Sequence, residues 1–207
     1  KALKTDVLPY LELPTDDWPF LYLAERGVSS FYLKVIFSIL IISIGGIFLF
    51  SQEMLSNLKN FRKIDFEMFF FGLAFLLLES GSITRMNLLW GATWLTSAVV
   101  FASILLMILF ATLLGQLKRL NWNISFAGLA TSLLAAYLIP VESLLLNNQL
   151  VKLLLSITII GLPIFFAGLC FAILFAEREE TNLAFGWNLL GAVVGGLLEF
   201  CGMWTGL

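Results

Sequence analysis

The chain has 207 residues, of which 60% are hydrophobic and 13% charged, with a formal net charge of −2 and a mean hydropathy of +0.97. Soluble domains hold only about 45–50% apolar residues, so this composition excludes one, and no basic patch points to a nucleic-acid partner. Histidine is absent, which excludes His-ligated haem, chlorophyll or zinc and any Ser-His or Cys-His nucleophile within this chain.

Residues 1–30 form a polar, interfacial N-terminal segment, punctuated by Pro9, Pro14 and Pro19, which breaks any single long helix. Trp18, Phe20, Tyr22, Phe31 and Tyr32 gather before the first apolar run, as an interfacial aromatic belt does. The chain begins in this polar stretch without Met or a signal-peptide pattern and reads as a piece of something longer. Residues 31–207 read as a transmembrane helical bundle. Their apolar runs are continuous for about 20 residues, not alternating over about 10 as a barrel requires. The fold class is therefore all-α, a polytopic membrane helix bundle of about six transmembrane helices.

The first span is expected near Phe31–Ser51, with Lys34 able to snorkel and Gly45-Gly46 permitting close helix approach. The second, near Phe66–Thr84, carries Glu79. Arg85, Asn87 and Trp90 then mark a tight turn into a third span near Gly91–Leu114. The fourth, Ile124–Pro140, has 17 residues, the lower limit for crossing about 30 Å of hydrocarbon. It either stops there or continues through a kink at Pro140 towards Leu146, with Glu142 near the far interface. The fifth runs over Lys152–Phe175 through Gly161-Leu162-Pro163, a kink signal, and the sixth over Leu183–Trp204. Lys59, Arg62, Lys63, Lys118, Arg119 and Arg178 fall on one side, against Lys1, Lys4, Arg26, Lys34, Arg85 and Lys152 on the other. The counts tie, and orientation stays open, with the short loops favouring the first group as cytoplasmic.

The candidate site residues are Glu79, Arg85, Asn188, Gly191, Gly195 and Glu199, all intramembrane polar or small groups. No catalytic or metal-binding residue is assigned, and no cofactor is identified. At 100° per residue Asn188, Ala192, Gly195 and Glu199 share a helical face, and Gly191 and Gly195 form a GxxxG pair. That face is expected to pack on protein, with Asn188 hydrogen-bonding across it. Glu79 is read either as an ion or proton site with Ser80, Ser82 and Thr84, or as half of a structural pair. Arg85 lies about 240° round the helix from Glu79, so pairing them needs a break near Gly81. Hydroxyls at Thr93, Ser97, Thr131 and Ser132 are expected to bond backbone, and Trp90, Trp94, Trp122 and Trp204 to anchor at interfaces. Cys170 and Cys201 read as buried small apolar groups.

Three motifs carry a resemblance. Pro14-Thr15-Asp16-Asp17-Trp18-Pro19-Phe20-Leu21-Tyr22-Leu23 resembles the junction between the soluble and membrane parts of bacterial multi-pass spermidine-synthase-like proteins. Phe70 through Thr84 with Gly91-Ala92-Thr93-Trp94, and Asn188 through Glu199, are similar to that family's C-terminal membrane bundle. The resemblance spans about Pro14–Leu207 and implies a bacterial inner membrane, or an internal membrane derived from it. The soluble aminopropyltransferase-like (methyltransferase-fold) domain, with its Gly-rich turn and substrate-holding acids, has no counterpart here. No residue therefore receives a catalytic role, Asp16 and Asp17 included.

The expected function is a non-catalytic integral membrane module. It would be a structural or accessory subunit of a larger membrane assembly, or the membrane anchor of a missing enzyme domain. One alternative is a small-solute or ion transporter using Glu79 and Glu199, and another is the membrane part of a spermidine-synthase-like enzyme. Expected partners are the lipid bilayer and other membrane subunits. Any pigment contact would have to be made without His.

Overall fold

The computed structural model describes residues 27–50, 56, 65–91, 93–117 and 121–205. The expectations for Trp18, Phe20 and Tyr22, for Asp16 and Asp17, and for the basic loop residues Lys59, Arg62, Lys63, Lys118 and Arg119 lie outside them. Six helices carry the fold: α1 (Ser30–Phe50), α2 (Phe66–Trp90), α3 (Trp94–Leu117), α4 (Trp122–Leu138), α5 (Gln149–Ala176) and α6 (Thr181–Leu198). No strand occurs among the described residues. Stretches in α2, α3, α5 and α6 are long and apolar enough to cross a membrane, and two shorter apolar helices, Ser30–Gly46 and Trp122–Leu138, complete the set. The molecule is all-α and compatible with a multi-pass membrane protein.

Helix starts follow from short polar side chains that accept the first free N–H groups. Asp65 accepts from Met68 N at 3.2 Å and opens α2. Asn121 accepts from Asn123 N at 2.9 Å before α4. Asn148 accepts from Leu150 N at 3.0 Å before α5. Stops follow as directly. Gly91, at φ 84, ends α2 in the left-handed region that glycine enters without strain. α4 ends at Leu138, and Ile139 is extended (φ −87, ψ 109), as a residue before proline must be. A 3-10 turn, Val141–Leu144, follows Pro140, so the short form of the fourth span is the one that forms.

Two boundaries differ from expectation. α2 continues past Thr84 to Trp90 without a break at Gly81, so Arg85 and Asn87 lie on the helix, which ends at Gly91. α6 stops being regular at Leu198. Glu199–Cys201 is 3-10 and Gly202–Thr205, α7, is one more helical turn.

α2 packs chiefly on α6, while α5 lies between α3 and α4 and also touches α2. One apolar cluster joins α2 and α6 through Met68, Ala184 and Trp187, with Phe171 and Phe175 of α5 against it. A second, Met86, Val100, Ile104 and Ile164, joins α2, α3 and α5. Outward faces are apolar as well: Ile42 is 72% exposed, Leu105 66% and Phe110 52%. In water such continuous patches are aggregation surfaces, whereas in hydrocarbon they are matched. Gly45 and Gly46 face open space, with nothing within 4 Å of a Cβ at either. They therefore mark no close helix contact here.

Candidate functional site

The tightest packing in the bundle is the α2–α6 seam, and its contacts advance together along both helices, so the two run parallel. A Cβ added at Gly72 would overlap the carbonyl oxygen of Asn188, and one at Gly191 the carbonyl oxygen of Phe69. At Gly195 it would sit 2.6 Å from the Leu73 carbonyl oxygen, and at Gly196 2.9 Å from Leu76 Cδ2. Only glycine allows backbone to approach backbone this closely, and in a bilayer such close packing replaces the hydrophobic drive that is missing between helices. Asn188 Nδ2 donates to the Met68 carbonyl at 3.1 Å across the seam. Gly191, Gly195 and Asn188 thus meet residues of their own chain.

Glu199 departs from this face. Its residue is exposed and begins the 3-10 turn that follows α6, beyond the last glycines that meet α2. Cys201 is likewise exposed, whereas Cys170 is buried, and no disulfide joins them.

Glu79 lies one residue past the middle of the 25-residue α2, on the wall of a cavity of about 610 Å³. α2 contributes Phe71, Gly72, Phe75, Leu76 and Glu79, a run of nine residues or about 12 Å along one face. α5 contributes Phe171 and Phe175, with Gly168, Ala172 and Ala176 making the room. The outer end is bounded by Gln116 and Ala176, at the ends of α3 and α5, and α6 adds Asn188 and Ala192. The cavity is therefore a partly enclosed cleft running from the helix ends near the α5–α6 turn to the middle of α2. Glu199 is not in its wall.

The hydroxyls grouped with Glu79 in the sequence bond elsewhere. Ser82 Oγ donates to the Leu78 carbonyl at 2.6 Å, Thr84 Oγ1 to Ser80 at 3.1 Å and Ser80 Oγ to Leu77 at 3.3 Å. Thr131 and Ser132 follow the same habit, bonding the Ala127 and Leu129 carbonyls at 2.8 and 3.0 Å. Glu79 has no hydrogen bond or ion pair with any described residue. Arg85 does not fold back to it: with α2 unbroken, Arg85 Nη1 donates to the Ala136 carbonyl at 2.6 Å, near the end of α4, and borders a second cavity of about 390 Å³. Lys152 acts alike at the end of α2, donating to the Leu89 carbonyl at 2.8 Å with its ammonium 4.3 Å from the Trp90 ring centroid. Both cations neutralise carbonyls that a helix end leaves unpaired.

At the other end, Arg178 of the α5–α6 turn grips the start of α2. Its Nε donates to Asp65 Oδ2 at 2.8 Å and its Nη2 to Asp65 Oδ1 at 3.3 Å, and Nη2 also meets Glu67. Hydrogen bonds donated to Asp65 and then Glu67 push the Arg178 guanidinium above its ordinary range. Sequence reading placed Arg178 only as a loop charge. Asp65 ahead of Phe66, with Glu67 in the first turn, was the available signal of a helix start. The Arg178 pairing itself is long-range and left no local trace.

Among the described residues no group of three His, Cys, Asp or Glu is placed to hold a metal. No family model matches the chain, and neither a curated protein nor a solved structure matches it.

Proposed function

We propose that this chain is an integral membrane module without catalytic machinery of its own. It serves as the anchor of an enzyme domain or as an accessory subunit of a larger assembly in a bacterial inner membrane. The observation that carries this reading is where the motif residues go. Those that resemble the membrane bundle of spermidine-synthase-like proteins, Gly72, Asn188, Gly191, Ala192 and Gly195, meet in one backbone-to-backbone seam. A pattern used for holding two helices together supports a scaffold more than it supports chemistry.

The same seam changes where a partner is sought, because Gly195 is occupied by the chain's own Leu73. The outward apolar face of α1, with Phe37 and Ile41 61% and 69% exposed, is the surface to probe. A photocrosslinker at Ile41, used in native membranes and read by mass spectrometry, is expected to capture one protein in stoichiometric yield. Capture of lipid alone at Ile41 and at a second site on α4, Leu134, would contradict the accessory-subunit reading and favour the anchor, which needs no partner within the bilayer.

A second reading has one observation in its favour. The cleft reaching Glu79 from one end of the bundle supports a small solute or cation site at mid-membrane, since an intramembrane acid facing a cavity marks such sites. Glu199 has no part in it.

A further inference from the structure

We propose that the Glu79 cleft binds a lipophilic organic monocation, a single ammonium-type charge on a bulky apolar body. This deepens the second reading above and rests on it, not on the module reading.

Glu79 sets the charge. Among the described residues it is the one acidic side chain in the wall and it has no polar partner, and an unmatched carboxylate at that depth is costly until a cation meets it. The walls set the body. Phe71 and Phe75 of α2 and Phe171 and Phe175 of α5 line the cleft, and ring faces attract organic cations while accepting apolar groups. A volume of about 610 Å³ exceeds what a bare inorganic ion occupies. Such an ion would also require several oxygen ligands, and no acidic cluster able to hold one lies among the described residues.

Polar capacity is sparse elsewhere in the cleft. Thr112 Oγ1 donates to the Ile108 carbonyl at 2.8 Å, and Asn188 commits an amide N–H to Met68. What remains is neutral amide capacity, the Asn188 side-chain oxygen and second N–H and the Gln116 carboxamide, so Glu79 alone sets the sign of the charge the cleft takes. The ligand carries one charge because a second ammonium along the cleft would meet phenylalanine, glycine and alanine with no acid to match it.

The test is equilibrium dialysis of radiolabelled tetraphenylphosphonium against the full chain in zwitterionic phosphatidylcholine nanodiscs, with empty nanodiscs as baseline. Saturable binding at one site per chain is expected. Glu79→Gln is expected to weaken it by about tenfold or more, the scale of losing one desolvated charge pair, and Phe75→Leu by a few-fold. Ala172→Trp, which fills the cleft and leaves the carboxylate in place, is expected to abolish binding. It carries the test if Glu79→Gln proves misfolded by circular dichroism and size exclusion. Glu79-dependent binding of spermidine or sodium without binding of tetraphenylphosphonium would overturn the ligand class while leaving a Glu79 site standing. Binding of all three probes equal to empty nanodiscs, or unchanged by both Glu79→Gln and Ala172→Trp, would overturn the proposal and the second reading together.

Discussion

Arg178 ties together chain positions 113 apart, and through Asp65 it steadies the residue that caps α2. The pair is largely shielded, with side-chain exposures of 24% and 19%, while the Glu67 side chain is 65% exposed. Arg178→Ala is therefore expected to cost about 1 kcal/mol or less, mostly through Asp65. Arg178→Lys should restore little of it, since an ammonium cannot make the two-pronged contact. Thermal unfolding in detergent at low and high salt checks both, the wild-type advantage shrinking with salt. On the Arg178 side the stability is present below its unfolded pKa and lost only as pH rises through the still higher folded value, so neutral pH changes leave it intact. Asn188 is a smaller matter: Asn188→Ala removes one cross-helix hydrogen bond and should cost about 0.6 kcal/mol, seldom above 2. A loss of several kcal/mol in the same unfolding assay would mean that Asn188 does more than bond Met68. That Asn188 would bond across a helix was legible from its residue type in an apolar run. Its partner was not, because any backbone carbonyl on any neighbouring helix would have served.

At the scale of elements, glycines with similar surroundings in the sequence have opposite roles. Gly45-Gly46 and Gly191/Gly195 all sit in apolar helical runs, yet only the second pair faces backbone. Gly72, which makes one of the closest approaches of all, was not singled out in the sequence, having no small partner four residues away. What a glycine does depends on what stands opposite it, and that is not local information. Leucine at Gly72 or Gly191 is expected to cost more than about 3 kcal/mol, because backbone on the facing helix cannot yield as a side chain can. Alanine at Gly46 or Gly81, where nothing lies within 4 Å, should instead stabilise by about 0.5–1 kcal/mol. Denaturation of the four variants in one detergent orders them, and equal effects would contradict the seam. Helix positions were read from hydropathy with modest error. The exceptions were the ends of α2 and α6, where Arg85 and Glu199 looked like terminators or face residues. Arg85 fits within α2 because the end of α4 supplies a carbonyl for its charge.

For the whole molecule, the parallel α2–α6 pair is the element on which the account depends. It closes helices distant in sequence into one bundle and forms part of the wall of the Glu79 cleft. Hydropathy made the membrane class and the number of helices legible. The cleft was not, since its four walls come from small and aromatic residues that meet only after packing. The most direct measurement is disulfide crosslinking between Leu76→Cys and Gly196→Cys, in a Cys201→Ser background and reconstituted membranes. A Cβ at position 196 lies 2.9 Å from the tip of the Leu76 side chain, Cδ2, so positions 76 and 196 face each other across the seam, as the short Cβ–Cβ separation of a disulfide requires. Oxidation is predicted to give a crosslink within a single chain, seen as a mobility shift at monomer mass. Crosslinking only between chains, or none, would contradict an intrachain seam.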